Sequence, residues 1–184
     1  MRVLGVIATA IVAITVSGCG AGDDDDVVAE PAAVTAMESD VEQAYLAYWD
    51  MVTRLESESP TQDPEIAELT TGPALVKLTS ELAMLELSDQ VNQHGPGYEH
   101  QVLSVDLGDG ATSSEATLRD CFVNDTTVVG RETGDPVADQ PGTTTALLEV
   151  TMVSREAWQV QSIETLDSFD GDSPRSCTEQ PAGG

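Results

Sequence analysis

Apolar positions between Ala33 and Ser57 recur with helical spacing. Val34, Met37, Val41, Tyr45, Tyr48, Val52 and Leu55 follow one another at steps of 3, 4, 4, 3, 4 and 3, a stripe that no strand period fits. Pro31 sits where a helix start tolerates proline, and Ser57 to Pro60 closes the segment. A short helix is predicted from Asp63-Pro64 to Leu69, with Asp63 as the N-cap and Pro64 at the first helical position. A third is predicted from about Pro73 to Val91 on the stripe Leu75, Leu78, Leu82 and Leu85, stopping before Gly95-Pro96-Gly97.

After that the period falls to two. Between Gln101 and Leu107 the alternation puts Leu103, Val105 and Leu107 on one face, and Gly108-Asp109-Gly110 makes a turn. Between Glu115 and Val123, Ala116, Leu118, Asp120 and Phe122 point one way, while Thr117, Arg119, Cys121 and Val123 point the other. Asn124-Asp125 reverses the chain into Thr126–Val129. The stretch from Gly130 to Gly142 is read as a loose loop. Thr143–Val153 and Ala157–Leu166 then form a hairpin about Ser154-Arg155-Glu156. Helices followed by antiparallel strands make an α+β domain over residues 34–167, its N-terminal helices packed on one face of one sheet.

The N-terminus carries a different pattern. A positive start is followed by an apolar run from Leu4 to Val16, of signal-peptide length and short of the roughly 20 residues a spanning helix needs. It ends in Val16-Ser17-Gly18-Cys19. This sequence resembles the lipobox of bacterial lipoproteins, in which a diacylglycerol is joined to the cysteine thiol and a peptidase cuts before it. The resemblance implies a signal peptide over 1–18, a diacylglyceryl anchor on Cys19 and a place at the extracytoplasmic face of the cell membrane. Residues 19–33, with four successive aspartates at 23–26, are read as an acidic disordered tether. Residues 168–184 are read as a polar C-terminal tail.

Charge narrows the partners. Among 184 residues there are 33 Asp and Glu against 7 Lys and Arg, a formal net charge of −26. Clustered cations are needed to bind a phosphate backbone, so nucleic acid is excluded. Anionic headgroups are excluded as the attachment for the same reason. With 40% apolar residues, a packed core is within reach.

Three cysteines are present. With Cys19 lipidated, Cys121 and Cys177 remain as an even pair in an oxidising compartment, and a disulfide tying the tail back to the domain is expected. Neither has a neighbouring histidine, which argues against a thiolate nucleophile or a metal ligand. His94 and His100, six residues apart with no third ligand at a useful spacing, are read as solvated loop and strand-start residues rather than as a zinc site. No metal and no cofactor are expected.

The order of elements resembles the nuclear-transport-factor-2-like superfamily, which includes SnoaL-type and steroid-isomerase-type proteins. In particular it is similar to actinobacterial lipoproteins built on that fold. The residues carrying the resemblance are Val41-Glu-Gln-Ala-Tyr-Leu-Ala-Tyr-Trp49, Ala116-Thr-Leu-Arg-Asp-Cys-Phe-Val-Asn-Asp125 and Trp158-Gln-Val160. It implies a cystatin-like cone: a curved antiparallel sheet enclosing a pocket with the helices, for which Tyr45, Tyr48, Trp49, Asp120 and Phe122 are the candidate lining. Asp120 is either a pocket acid or a carboxylate bonded to a helix hydroxyl or to backbone, since burying it alone would cost several kcal/mol. No second catalytic carboxylate can be placed. The expected function is therefore non-enzymatic: binding a partner protein or a small ligand in the cell envelope. Carriage of an apolar envelope molecule, or an isomerase-type reaction with Asp120 as base, are the alternatives.

Overall fold

The computed structural model describes residues 31–58, 63–138, 140, 142–172 and 177. Cys19, the apolar run before it and the four aspartates after it lie outside the described residues.

Three helices come first: α1 (Pro31–Glu58), α2 (Pro64–Leu69) and α3 (Gly72–Leu87). Six strands follow: β1 (Gln90–His94), β2 (Glu99–Asp106), β3 (Glu115–Asn124), β4 (Thr126–Gly130), β5 (Thr144–Ser154) and β6 (Trp158–Asp170). The fold is α+β, with the N-terminal helices packed on antiparallel sheet.

There are two sheets rather than one. The larger has the order β2-β3-β5-β6, and the smaller pairs β1 with β4. The third helix is shorter than its apolar stripe suggests. It ends at Leu87, the chain turns through Asp89 in the left-handed region (φ 54°), and Gln90–His94 becomes a strand against Thr126–Gly130. A five-residue polar strand offers no alternation of its own. The tertiary pairing with β4 creates it. Residues 31–33, read as the end of the tether, are the first residues of α1, and β6 runs past 167 into the expected tail. The segment after Gly130 is tied down in part. Val129 bridges Pro136, and the Gln140 side chain donates to the Val128 and Val137 carbonyls while accepting from Val128 N–H.

Local chemistry explains the helix joints. Asp63 caps α2 by accepting from Glu65 N–H at 2.9 Å, and Pro64 takes the first position. Thr70 bridges to Val160 and Thr71 N–H donates to its carbonyl, which docks the α2–α3 joint on β6. Gly72 opens α3 with φ +53°, a conformation that side-chain-bearing residues rarely adopt.

The core lies between the helices and the four-stranded sheet. Val41, Tyr45, Tyr48, Met51, Val52 and Leu55 of α1 meet Leu78 and Leu82 of α3 and the inward residues Leu118, Val150, Met152 and Val160. Cys121 and Cys177 are joined by a disulfide on the opposite face of β3. There Thr145 Oγ1 donates to the Gly171 carbonyl at 2.7 Å, and Cys177 is buried against the same face.

Candidate functional site

Two layers make up the site: a buried polar network and, beside it, an open cleft. On α1, Tyr45 and Tyr48 belong to the inward stripe, while Trp49 and Glu56 are seven residues apart and so share a flank of the helix. On β3, alternation carries Leu118, Asp120 and Phe122 to the inner face. His100 of β2 pairs with Phe122 in register, and Val102 with Asp120.

Asp120 is fully buried. Its Oδ2 accepts from the Tyr45 hydroxyl at 2.7 Å and from His100 Nδ1 at 2.6 Å. A carboxylate oxygen has no proton to give, so Nδ1 is the protonated nitrogen of the ring. Burial first, and then the adjacent Asp120, push the Tyr45 phenol well above its ordinary range, which keeps it a donor. Asp120 is thus a carboxylate bonded to a helix hydroxyl, one of the two alternatives the sequence leaves open for it.

His100 is not a solvated strand-start residue. Its side chain is only 6% exposed. It stacks on Trp49 (centroids 4.1 Å apart, 21° between planes) and on Phe122 (4.3 Å, 5°). His94 is not solvated either, at 8% exposed, and Tyr98 packs against it at 4.3 Å. Tyr98 also meets Phe122 edge-on at 5.2 Å. The Gly95-Pro96-Gly97 turn is held by Asp125, which accepts from Gly95 N–H through its carbonyl and from Gly97 N–H through its carboxylate. A Cβ at Gly95 would collide with that carboxylate, so glycine is required for the close approach that aims Tyr98 inward.

The cleft has a volume of about 600 Å³ and opens between α1, α3 and the sheet. Tyr48, Trp49, Tyr98 and Phe122 supply its aromatic wall. Glu56, Lys77 and Asn92 are among its polar residues, and Ala146 and Ile163 of the sheet lie opposite. Of the five residues proposed from sequence, Tyr48, Trp49 and Phe122 line it. Tyr45 and Asp120 lie behind the lining, in the buried network. The sequence reading missed Glu56, Asn92, Tyr98 and His100.

Glu56 is the unusual member. Its carboxylate is 14% exposed, accepts from Asn92 Nδ2 at 2.9 Å and lies 3.4 Å from His94 Nε2. Burial, as the largest cause, raises the Glu56 carboxyl above its ordinary value, Asn92 opposes this, Glu81 adds to it and Lys77 opposes it. Burial lowers His94, so at neutral pH that ring is uncharged and gives Glu56 no counter-charge. An acid raised in the folded state contributes stability below its ordinary value near 4.5, and that contribution is lost as pH rises through the folded value. Glu56→Gln is therefore expected to raise the melting temperature at pH 7 by roughly 2–4 °C, on the order of 1 kcal/mol, and to leave it unchanged at pH 4. Thermal melts of both proteins at the two pH values check this. An equal shift at both would show that the charge is not the cause.

Among the described residues no helix is long and apolar enough to cross a membrane. No family model matches the chain, and no curated protein matches it. Among solved structures it is similar to the intermembrane space region of the chloroplast protein ARC6. The identity is 15% and the TM-score 0.45, covering 62% of this chain and 87% of that one.

Proposed function

We propose that the chain is a lipid-anchored protein of the bacterial cell envelope, held at the outer face of the membrane through diacylglyceryl Cys19, whose cone-shaped domain receives a small molecule. The anchor rests on the lipobox residues 16–19. The nuclear-transport-factor-2-like reading of the domain is supported by helices lying across an antiparallel sheet with a cleft between them.

The observation that carries the ligand reading is the cleft itself. About 600 Å³ lies within the usual range for small-molecule sites, and four aromatic rings make one wall of a lining that is otherwise largely polar, which offers a ligand both an apolar face and hydrogen-bonding groups. Filling that space with side chains would have been the simpler way to stabilise the domain. A binding role is favoured over catalysis because Asp120, the candidate base, is engaged by Tyr45 and His100 beneath the cleft and is not part of its lining.

The test is native mass spectrometry of the full chain, purified from host membranes in a neutral detergent. A co-purifying small mass is expected. Ala146 lies opposite Phe122 in register on the cleft side, so Ala146→Trp would occupy the space. That variant is expected to melt within a few degrees of the parent and to lose the small mass. Retention of the mass by the variant would place the ligand elsewhere. No small mass on the parent would favour a partner-protein surface.

A further inference from the structure

The charge and the rings of the cleft point to one chemical class. We propose that it takes an organic cation, a protonated amine or quaternary ammonium carried on a flat apolar body, with Glu56 as the counter-ion. This rests on the reading of the cleft as a ligand site.

Four observations converge. First, Glu56 lines the cleft as a largely buried carboxylate, and among the described residues its Oε2 accepts from the neutral Asn92 amide and lies 3.4 Å from Nε2 of the His94 ring, uncharged at neutral pH. No arginine or lysine pairs with it there. The cation of the lining, Lys77, sits 3.9 Å from Glu81 with both side chains half exposed or more, and its charge reaches Glu56 only through space, opposed there by that of Glu81. Second, with Glu164 also in the lining, the cleft holds three carboxylates, Glu56, Glu81 and Glu164, against one ammonium. A carboxylate held among rings without a positive partner is costly when empty, and a bound cation removes that cost.

Third, the cleft wall is aromatic. Trp49 and Phe122 lie 5.5 Å apart and within 20° of parallel, His100 stacks on both, and Tyr98 stands edge-on to Phe122, so a cation would meet the ring surface these neighbours leave uncovered. A cation there is attracted to the ring quadrupole, most strongly where water is excluded. Trp49 shares its helix flank with Glu56, so one ligand can lie on the rings with its charged end toward the carboxylate. Fourth, the chain carries a net charge of −26, which favours the approach of cations to any concave site.

The experiment compares three probes of one size on the full chain in neutral detergent micelles, with empty micelles as the blank: benzyltrimethylammonium, benzyl alcohol and benzoate. Calorimetry and ligand-observed NMR read the affinity. The cation is expected to bind at least 10-fold more tightly than the other two. Glu56→Gln is expected to remove that preference while leaving benzyl alcohol unchanged, and Phe122→Leu to weaken both the cation and the alcohol. Should the Gln variant fold poorly, salt shows on the parent chain whether charge carries the preference. Raising NaCl from 50 to 500 mM should weaken the cation several-fold and the alcohol not at all. Equal affinity for the three probes, or a preference that survives Glu56→Gln, overturns the cation assignment and leaves the cleft a ligand site. Failure of all three to bind to the parent chain at millimolar concentration overturns both.

Discussion

Asp120→Ala is expected to lower the stability of the domain by about 3–5 kcal/mol, the range for removing one partner of a buried charged network. The side chain is fully buried, and its Oδ2 accepts both the Tyr45 hydroxyl and the His100 Nδ1–H. Truncation leaves two buried donors without an acceptor, each worth roughly 1–3 kcal/mol when unmet, and a cavity besides. For a domain of this size the melting temperature should fall by roughly 10 °C. Asp120→Asn separates the causes. An amide oxygen in the place of Oδ2 can still accept both donors, while the amide NH2 takes the place of Oδ1, which has no partner among the described residues, and is itself a buried donor group without an acceptor. That variant is expected to lose about 1–3 kcal/mol, less than Asp120→Ala because the Tyr45 and His100 donors and the side-chain volume are kept. Urea or thermal unfolding of both variants decides the matter. An Asp120→Ala protein within 1 kcal/mol of the parent would mean that the network does not hold α1 to the sheet.

The same network shows what could be read from the sequence and what could not. Asp120 shares the inner face of β3 with Leu118 and Phe122, and plain alternation finds it there. Tyr45 and Tyr48 fall on the helical stripe and are core residues for the same reason. His100 was hidden by one irregularity. The pairing of β2 with β3 shifts between Val102 and Ser104, so Leu103 is the extra residue of a bulge. Strict alternation groups Leu103 with Val105 and Leu107 and turns His100 to solvent. The bulge changes the phase, so that His100 and Val102 share the inner face with Val105, which pairs with Leu118. Nothing in the residues Val102-Leu103-Ser104 announces that step.

Glu56 and Asn92 were illegible for another reason. Glu56 lies at the polar edge of α1, where a charged residue is ordinarily solvated, and Asn92 belongs to a strand that exists through its pairing with β4. Their meeting at 2.9 Å is a product of tertiary packing between segments 36 residues apart. Helical and strand periods report which face of an element is buried. They do not report which two elements leave a gap, and the cleft is such a gap, between α1, α3 and the sheet.

Removing the disulfide should have an effect as large as removing Asp120, but through the unfolded chain. Cys121 and Cys177 are 56 positions apart, and opening a loop of that size is worth up to about 4 kcal/mol on the loop-entropy argument. Either reduction or the double change Cys121→Ser with Cys177→Ser is expected to lower the melting temperature by roughly 8–16 °C. The loss should also be felt locally. Cys177 is buried, and the chain leading to it passes Gly171, whose carbonyl accepts from Thr145 on the outer face of β5. Once the bridge is opened, Cys177 loses its covalent tie to β3, while the inner core of Leu118, Val150 and Met152 is unchanged. Amide exchange should therefore speed up first around Val123 and Thr145, which lie on the disulfide's side of the sheet, and last on the core side of β3 and β5. The two effects separate cleanly in a single sample: melting reports the entropy of the unfolded loop, and exchange reports the covering of the sheet. A reduced protein with the parent's melting temperature and unchanged exchange at Thr145 would mean that the bridge contributes neither.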